Sequence, residues 1–177
     1  MKKIIGFIGS SDSLCTQQMY GFVYDLAFRL AQRGYSIVCG GLGGVMEAAA
    51  KGVTDAQNTQ ANSICIIPQA SAHHANQYCH YVIPTGMDRA RNMLIINTAH
   101  LLVAIGGGAG TLSEIALAWQ QNKTSIAITA FPGWAQKLAG QTLDSKNQAR
   151  IIPASTIQQA LELIEKYMHD QLGNNGL

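Results

Sequence analysis

The chain has 177 residues, room for one α/β domain and short for two. Its 12 Lys+Arg and 10 Asp+Glu make up 12% of the sequence, about half the share in an ordinary soluble domain, while 47% apolar residues exclude a disordered or low-complexity chain. A net charge of +2, with Lys2 and Lys3 as the only basic cluster, argues against nucleic acid as a partner.

The first apolar run, residues 3–8, predicts a strand and is shorter than the roughly 7 to 15 residues of a signal-peptide core. Since no run approaches the roughly 20 apolar residues of a membrane span, the expected location is the cytoplasm, with no membrane partner. A helix is predicted over 16–33, a strand over 35–39, a helix over 45–57, then strands over 63–67 and 81–83. A helix over 88–98, a strand over 101–105, a helix over 112–122 and a strand over 125–129 follow. The strand runs are rich in Ile, Val and Leu without polar alternation, the pattern of parallel strands covered on both faces. A last helix over 156–169 starts after Ser155, with Gln158 completing a capping-box pattern, and the tail from Gly173 to Gly176 is expected to fray. The prediction is a single domain over residues 1–172: a doubly wound, Rossmann-like α/β fold, its sheet mostly parallel and helices on both faces.

In such sheets ligands gather at the carboxyl ends of the strands, where helix N-termini also point. Three glycine turns fall there: Gly9-Ser10-Ser11-Asp12, Gly40-Gly41-Leu42-Gly43-Gly44 and Gly106-Gly107-Gly108-Ala109-Gly110-Thr111. Glycines let backbone amides approach a ligand and the helix dipole favours an anion, so a phosphate is the expected guest. One such turn is more often a tight connection than a cradle; three at one sheet edge favour the cradle. The candidate phosphate ligands are Gly9, Ser10, Ser11, Gly41, Gly43, Gly44, Met46, Gly107, Gly108, Gly110 and Thr111. No turn completes GxGxxG and no GxxxxGK[ST] element occurs, which excludes the ordinary dinucleotide fingerprint and the P-loop.

The remaining polar residues carry weaker signals. Cys15, Cys39, Cys65 and Cys79 contain no CxxC pair and are expected as buried free thiols. His73, His74, Cys79 and His80 share a polar loop but lack zinc spacing, so neither a metal nor another cofactor is expected. Glu47 and Lys51 have the spacing of a surface ion pair. His100 reads as a core or edge histidine, and Trp134 as a cap on the pocket or part of the core.

Two stretches carry a family resemblance: Gly40 through Ala49, and Arg91 through the third glycine turn to Glu114. Together they resemble the Lonely Guy (LOG) superfamily, once widely labelled lysine decarboxylases, whose characterised members are nucleoside 5′-monophosphate phosphoribohydrolases. The third turn is similar to that family's PGGxGTxxE motif with Gly106 in place of proline, and Arg91 stands 23 positions before Glu114 as the resemblance requires. Ala90 and Asn92 replace the charged neighbours of the family arginine, and Val45-Met46-Glu47 replaces its Leu-Met-Gly. These departures resemble the branch containing molybdenum-cofactor carrier-like proteins, which bind a phosphorylated pterin. The resemblance implies a phosphorylated small-molecule ligand, either a nucleoside monophosphate hydrolysed to free base and ribose 5-phosphate or a pterin-type heterocycle that is only bound. A nucleotide-sensing role is a further alternative, and no fused effector domain accompanies it. Pyridoxal-type decarboxylation needs a Schiff-base lysine, and none lies close to the glycine turns.

Within this resemblance Glu114 and Arg91 are the catalytic candidates. A carboxylate near C1′ of a ribose can stabilise oxocarbenium charge and position water, although Thr111-x-x-Glu114 also reads as a capping box. Arg91 offers a permanently charged planar fork for phosphate or ribose hydroxyls, with a solvated charge paired to Asp88 as the plain alternative. Met93, Leu94, Ile95 and Ile96 follow it without a break, and Leu112, Ile115, Ala116, Leu117, Ala118 and Trp119 crowd the next helix. Both helices look too apolar for a monomer surface, so a homodimer packing them together is expected.

Overall fold

Short apolar strands can hide both faces only in a sheet sandwiched between helices. The computed structural model, which describes residues 3–174, has that architecture. Seven strands, β1 (Ile4–Gly9), β2 (Ser36–Cys39), β3 (Ser63–Ile67), β4 (Tyr81–Pro84), β5 (Leu101–Ile105), β6 (Ser125–Ile128) and β7 (Ile151–Ala154), alternate with six helices. The helices are α1 (Gln17–Gln32), α2 (Val45–Asp55), α3 (Asn92–Thr98), α4 (Ala109–Gln120), α5 (Trp134–Leu138) and α6 (Ile157–Asn174). The sheet order is β4-β3-β2-β1-β5-β6-β7, and every neighbouring pair is parallel.

Alternation along the strands fills both layers. Ile5 and Phe7 of β1 pack with α1, α2 and α6, whereas Ile8 packs with α3, α4 and α5. Met19, Val23, Leu26 and Leu30 form the buried stripe of α1, each worth about 1.5–3 kcal/mol of transfer free energy. Thr16 starts that helix by accepting the Met19 N–H at 3.2 Å.

Several expectations are corrected. Residues 88–98 divide into a 3-10 turn, Asp88–Arg91, and the short α3. Helix α4 starts at Ala109, before the expected Leu112, because the end of the third glycine turn is already helical. Strand β7 and helix α5 were not anticipated; β7 carries Pro153, which lacks an N–H and suits the sheet edge it occupies. The cap of α6 is Thr156 rather than Ser155: Thr156 Oγ1 accepts the Gln159 N–H at 3.2 Å, and Gln159 Oε1 reaches back to the Ser155 N–H at 2.9 Å. Helix α6 runs to Asn174, so Gly173 and Asn174 of the expected tail belong to it, while residues 175–177 lie outside the described residues.

Cys65 and Cys79 are not free thiols but a disulfide, leaving Cys15 and Cys39 free. Strand β3 pairs with β4 from Ile64↔Tyr81 onward, which brings the entry to β4 against Cys65 and sets the two Cα atoms 5.9 Å apart. Lys51 pairs with Asp55 instead of Glu47, whose Oε1 accepts the Tyr20 hydroxyl at 3.2 Å. Among the described residues no helix is long and apolar enough to cross a membrane.

Candidate functional site

The order in which strands are added reverses about β1. From β1 the chain passes to β2 on one side, and from β4 it crosses to β5 on the other. The carboxyl ends of β1 and β5 therefore form a switch point, the usual place for a ligand in this topology. The first and third glycine turns lie there, with the second beside them after β2.

Ser10 joins the turns. Its hydroxyl accepts the Gly107 N–H at 2.9 Å, its N–H donates to Ile105 O at 3.1 Å, and its carbonyl accepts the Val45 N–H at 3.0 Å. A second clamp comes from the first turn of α5: Trp134 and Ala135 donate backbone N–H groups to Gly107 O and Gly106 O, each at 3.0 Å. Gly107 has φ +87°, and a Cβ there would lie 2.2 Å from Thr111 Oγ1, so this position admits only glycine without rearrangement. The second turn is held by Asn76, whose backbone N–H and side-chain amide donate to Gly41 O and Leu42 O, each at 2.9 Å.

The N-cap of helix α4 is Gly108, so no side chain caps it. The N–H groups of Ala109, Gly110 and Thr111 belong to its first turn and have no intrahelical acceptor; Ala109 and Gly110 are exposed. This end of the cleft is open to an anion and favoured for one by the dipole. The second turn is different: the Asp12 carboxylate lies directly over Gly43, where a Cβ would come within 2.0 Å of Oδ1, and Ser10 O already takes the Val45 N–H. Ser11 is exposed beside it, and Gly9 packs on Ile105 O and Val45.

Arg91 and Glu114 meet beside Gly40 of the second turn. Arg91 is only 7% exposed; Nη2 donates to Gly40 O at 3.5 Å, Nη1 donates to Asn92 Oδ1, and Nε has no partner. Met46 Sδ and the Arg91 guanidinium both close on the Cα of Gly40, each 2.6 Å from where a Cβ would sit. Glu114, 8% exposed, has its Oε1 3.9 Å from Arg91 Nη1. Burial pushes the Glu114 carboxyl up to about 7, with Arg91 pulling the other way. Burial likewise lowers the Arg91 guanidinium below its ordinary value, opposed chiefly by Glu114.

The capping-box alternative for Glu114 does not form. Since the N-cap is Gly108, Thr111 lies inside the first turn, buried against Gly107. Nor does Asp88 hold Arg91 in an ion pair; the partner is Glu114. Thus Arg91, Glu114, Gly107 and Thr111 converge with Met46 and the α4 N-terminus. Residues that sequence reasoning missed are supports: Asn92, Asn76, Asp12 and Gly133, whose φ of +145° lets it press on Gly106. Only Asn92 left a legible signal, a polar residue ahead of the apolar run Met93 to Ile96.

The model of the SLOG cluster4 family matches residues 2–161. An uncharacterised protein of Archaeoglobus fulgidus is 37% identical over 124 residues, 70% of this chain and 78% of its own. The molybdenum cofactor binding protein of the phototrophic bacterium Rippkaea orientalis superposes with a TM-score of 0.82 at 30% identity, over 95% of this chain and 98% of that one. The molybdenum cofactor carrier protein of Chlamydomonas reinhardtii gives 0.80 at 26% identity, over 95% and 99%.

Proposed function

The chain belongs to the SLOG cluster4 family, within the LOG-like superfamily, and from that premise we propose that it binds a small phosphorylated heterocycle of the molybdopterin class at the switch point. The observation that carries this reading is Arg91: a buried guanidinium with an unpaired Nε, whose one carboxylate partner among the described residues, Glu114 of the uncapped helix α4, stands 3.9 Å away. A buried cation so loosely compensated is prepared for a second anion. The phosphate lies on the N–H groups of Ala109, Gly110 and Thr111, and the ring lies toward Arg91 and Glu114. The two solved neighbours named for molybdenum cofactor support that ligand class. Mass spectrometry of small molecules retained on purification, followed by titration with molybdopterin and with AMP, tests it. Saturable pterin binding with no product is expected, and absence of any phosphorylated ligand at micromolar protein overturns it.

One observation favours a second reading, hydrolysis of a nucleoside 5′-monophosphate. Glu114 is free of a capping role and titrates near neutrality, which suits a carboxylate that faces positive charge at C1′ while water attacks and the base departs with its electron pair. Release of free base from AMP, lost in Glu114→Gln, would select this reading. In either case we infer a cytoplasmic homodimer through the α3–α4 face, where Leu94 is exposed and Met93, Leu112 and Leu117 are half-buried. Sedimentation showing only an 18.9 kDa species would refute the dimer.

A further inference from the structure

Three cysteines meet below the second glycine turn. Cys39 ends β2 and Cys65 lies in the middle of β3; they are register partners, both fully buried, with Sγ atoms 3.8 Å apart. Cys65 is bonded to Cys79, which is half-buried at the entry to β4. Cys65 thus has one sulfur bonded to it and a second in contact. Neighbouring strands stand about 4.8 Å apart, inside the roughly 4.4–6.8 Å range of Cα separations that a disulfide spans.

We propose that Cys39, Cys65 and Cys79 form a thiol–disulfide exchange centre in which Cys65 is the shared sulfur. The Cys39 thiol gives up its proton and its sulfur attacks Cys65 Sγ. The Cys39–Cys65 bond forms, the Cys65–Cys79 bond breaks, and Cys79 leaves as a thiolate that takes up the proton. One disulfide and one thiol are present before and after, so no external oxidant or reductant enters. The Cys39–Cys65 sulfur contact is already made inside the core, and the thiol the step releases is the half-exposed one.

Burial holds the Cys39 thiol up at about 11, against the pull of the Gly41 backbone and Arg91. Its thiolate is therefore scarce at neutral pH, and exchange accelerates as pH rises. The centre is coupled to the cleft. Asn76, three residues before Cys79, holds Gly41 O and Leu42 O, and a Cβ on Gly41 would lie 2.8 Å from Cys65 Cβ. Moving the bond releases the loop of sequence separation 14 and ties β2 to β3 at the root of the turn. The effect on ligand affinity rests on the binding reading above; the exchange itself does not.

Protein purified without reductant, incubated with excess iodoacetamide at pH 7, 8 and 9, then denatured and digested for disulfide mapping, tests this. Cys65–Cys79 should be the disulfide present at zero time. Alkylated Cys79 and a Cys39–Cys65 peptide should then accumulate together, about tenfold faster per pH unit and independently of protein concentration. Four free thiols at zero time, persistence of Cys65–Cys79 at pH 9, or a rate that grows with protein concentration would each overturn the proposal. Cys39→Ser should abolish trapping at Cys79; the wild-type mapping decides even where that variant fails to fold. Ligand titration of the two pairing states is a separate arm, so failure of the ligand reading leaves the mapping result intact.

Discussion

Glu114→Gln should make the protein more stable, and increasingly so as pH rises. The side chain is 8% exposed, and burial lifts its carboxyl from 4.5 to about 7. A carboxyl whose folded-state value is raised contributes stability that is complete below its unfolded value and is lost as pH climbs through the folded one. At ~1.4 kcal/mol per pH unit, the rise from 4.5 to about 7 corresponds to about 3 kcal/mol by pH 8. Glutamine copies the neutral acid at every pH, so the variant should match wild type below about pH 4 and exceed it by about 3 kcal/mol at pH 8. For a chain of this size that is roughly 6 to 12 °C in Tm. Thermal unfolding of both proteins from pH 5 to 8.5 measures the difference, in which groups common to both cancel. Parallel curves would show that Glu114 is ionised without penalty and would refute the buried-pair argument.

Arg91→Met keeps the packing on Gly40 and removes the charge; affinity for a phosphorylated ligand should fall at least about tenfold by calorimetry, and the pH transition of Glu114 should move above 7, read from Tm against pH. Gly107→Ala should unfold the third turn or cost about 1–3 kcal/mol in urea melts, because of its positive φ and the contact with Thr111. Gly110→Ala meets no atom within 4 Å and sits in the first turn of α4, so it should stabilise by up to about 1 kcal/mol while weakening anion binding. Ser10→Ala leaves the Gly107 N–H without its acceptor, an expected loss of about 1–3 kcal/mol by denaturant unfolding. Ligand binding near pH 7 should take up protons, measured as a dependence of binding heat on buffer ionisation enthalpy; no dependence would mean that the ligand leaves the Arg91–Glu114 pair undisturbed.

The sheet was legible because its signal is local. Each inner strand is a short apolar run rich in Ile, Val or Leu, and glycine turns separate strand from helix, so the parallel fold and the turns at its carboxyl edge follow from pattern alone. Boundaries failed where two signals compete: Thr111-x-x-Glu114 looks like a cap, but Gly108 ends the turn earlier and α4 absorbs the motif. Strand β7 was hidden by Pro153, which local rules count against a strand and an edge position tolerates. The Cys65–Cys79 bond and the Asn76 clamp depend on where β4 returns beside β3, a long-range fact that spacing does not encode. Arg91 and Glu114 were legible only through the family spacing; their burial and separation are tertiary.

Those two residues also decide between binding and turnover. Stabilising a cationic ribose requires Glu114 ionised, whereas holding a heterocycle through a hydrogen bond is also open to the protonated acid, which can donate to a ring nitrogen or oxygen. Under the proposed binding mode, a phosphate dianion at the α4 N-terminus would compete with Glu114 for Arg91 and raise the carboxyl further. Asn92 works in the same direction: its amide oxygen takes Nη1 without adding charge, and the guanidinium stays 3.9 Å from the carboxylate instead of closing a bidentate pair. In that binding mode, ligand binding would drive this site toward the protonated acid, the state that a carrier can use and that an oxocarbenium ion cannot.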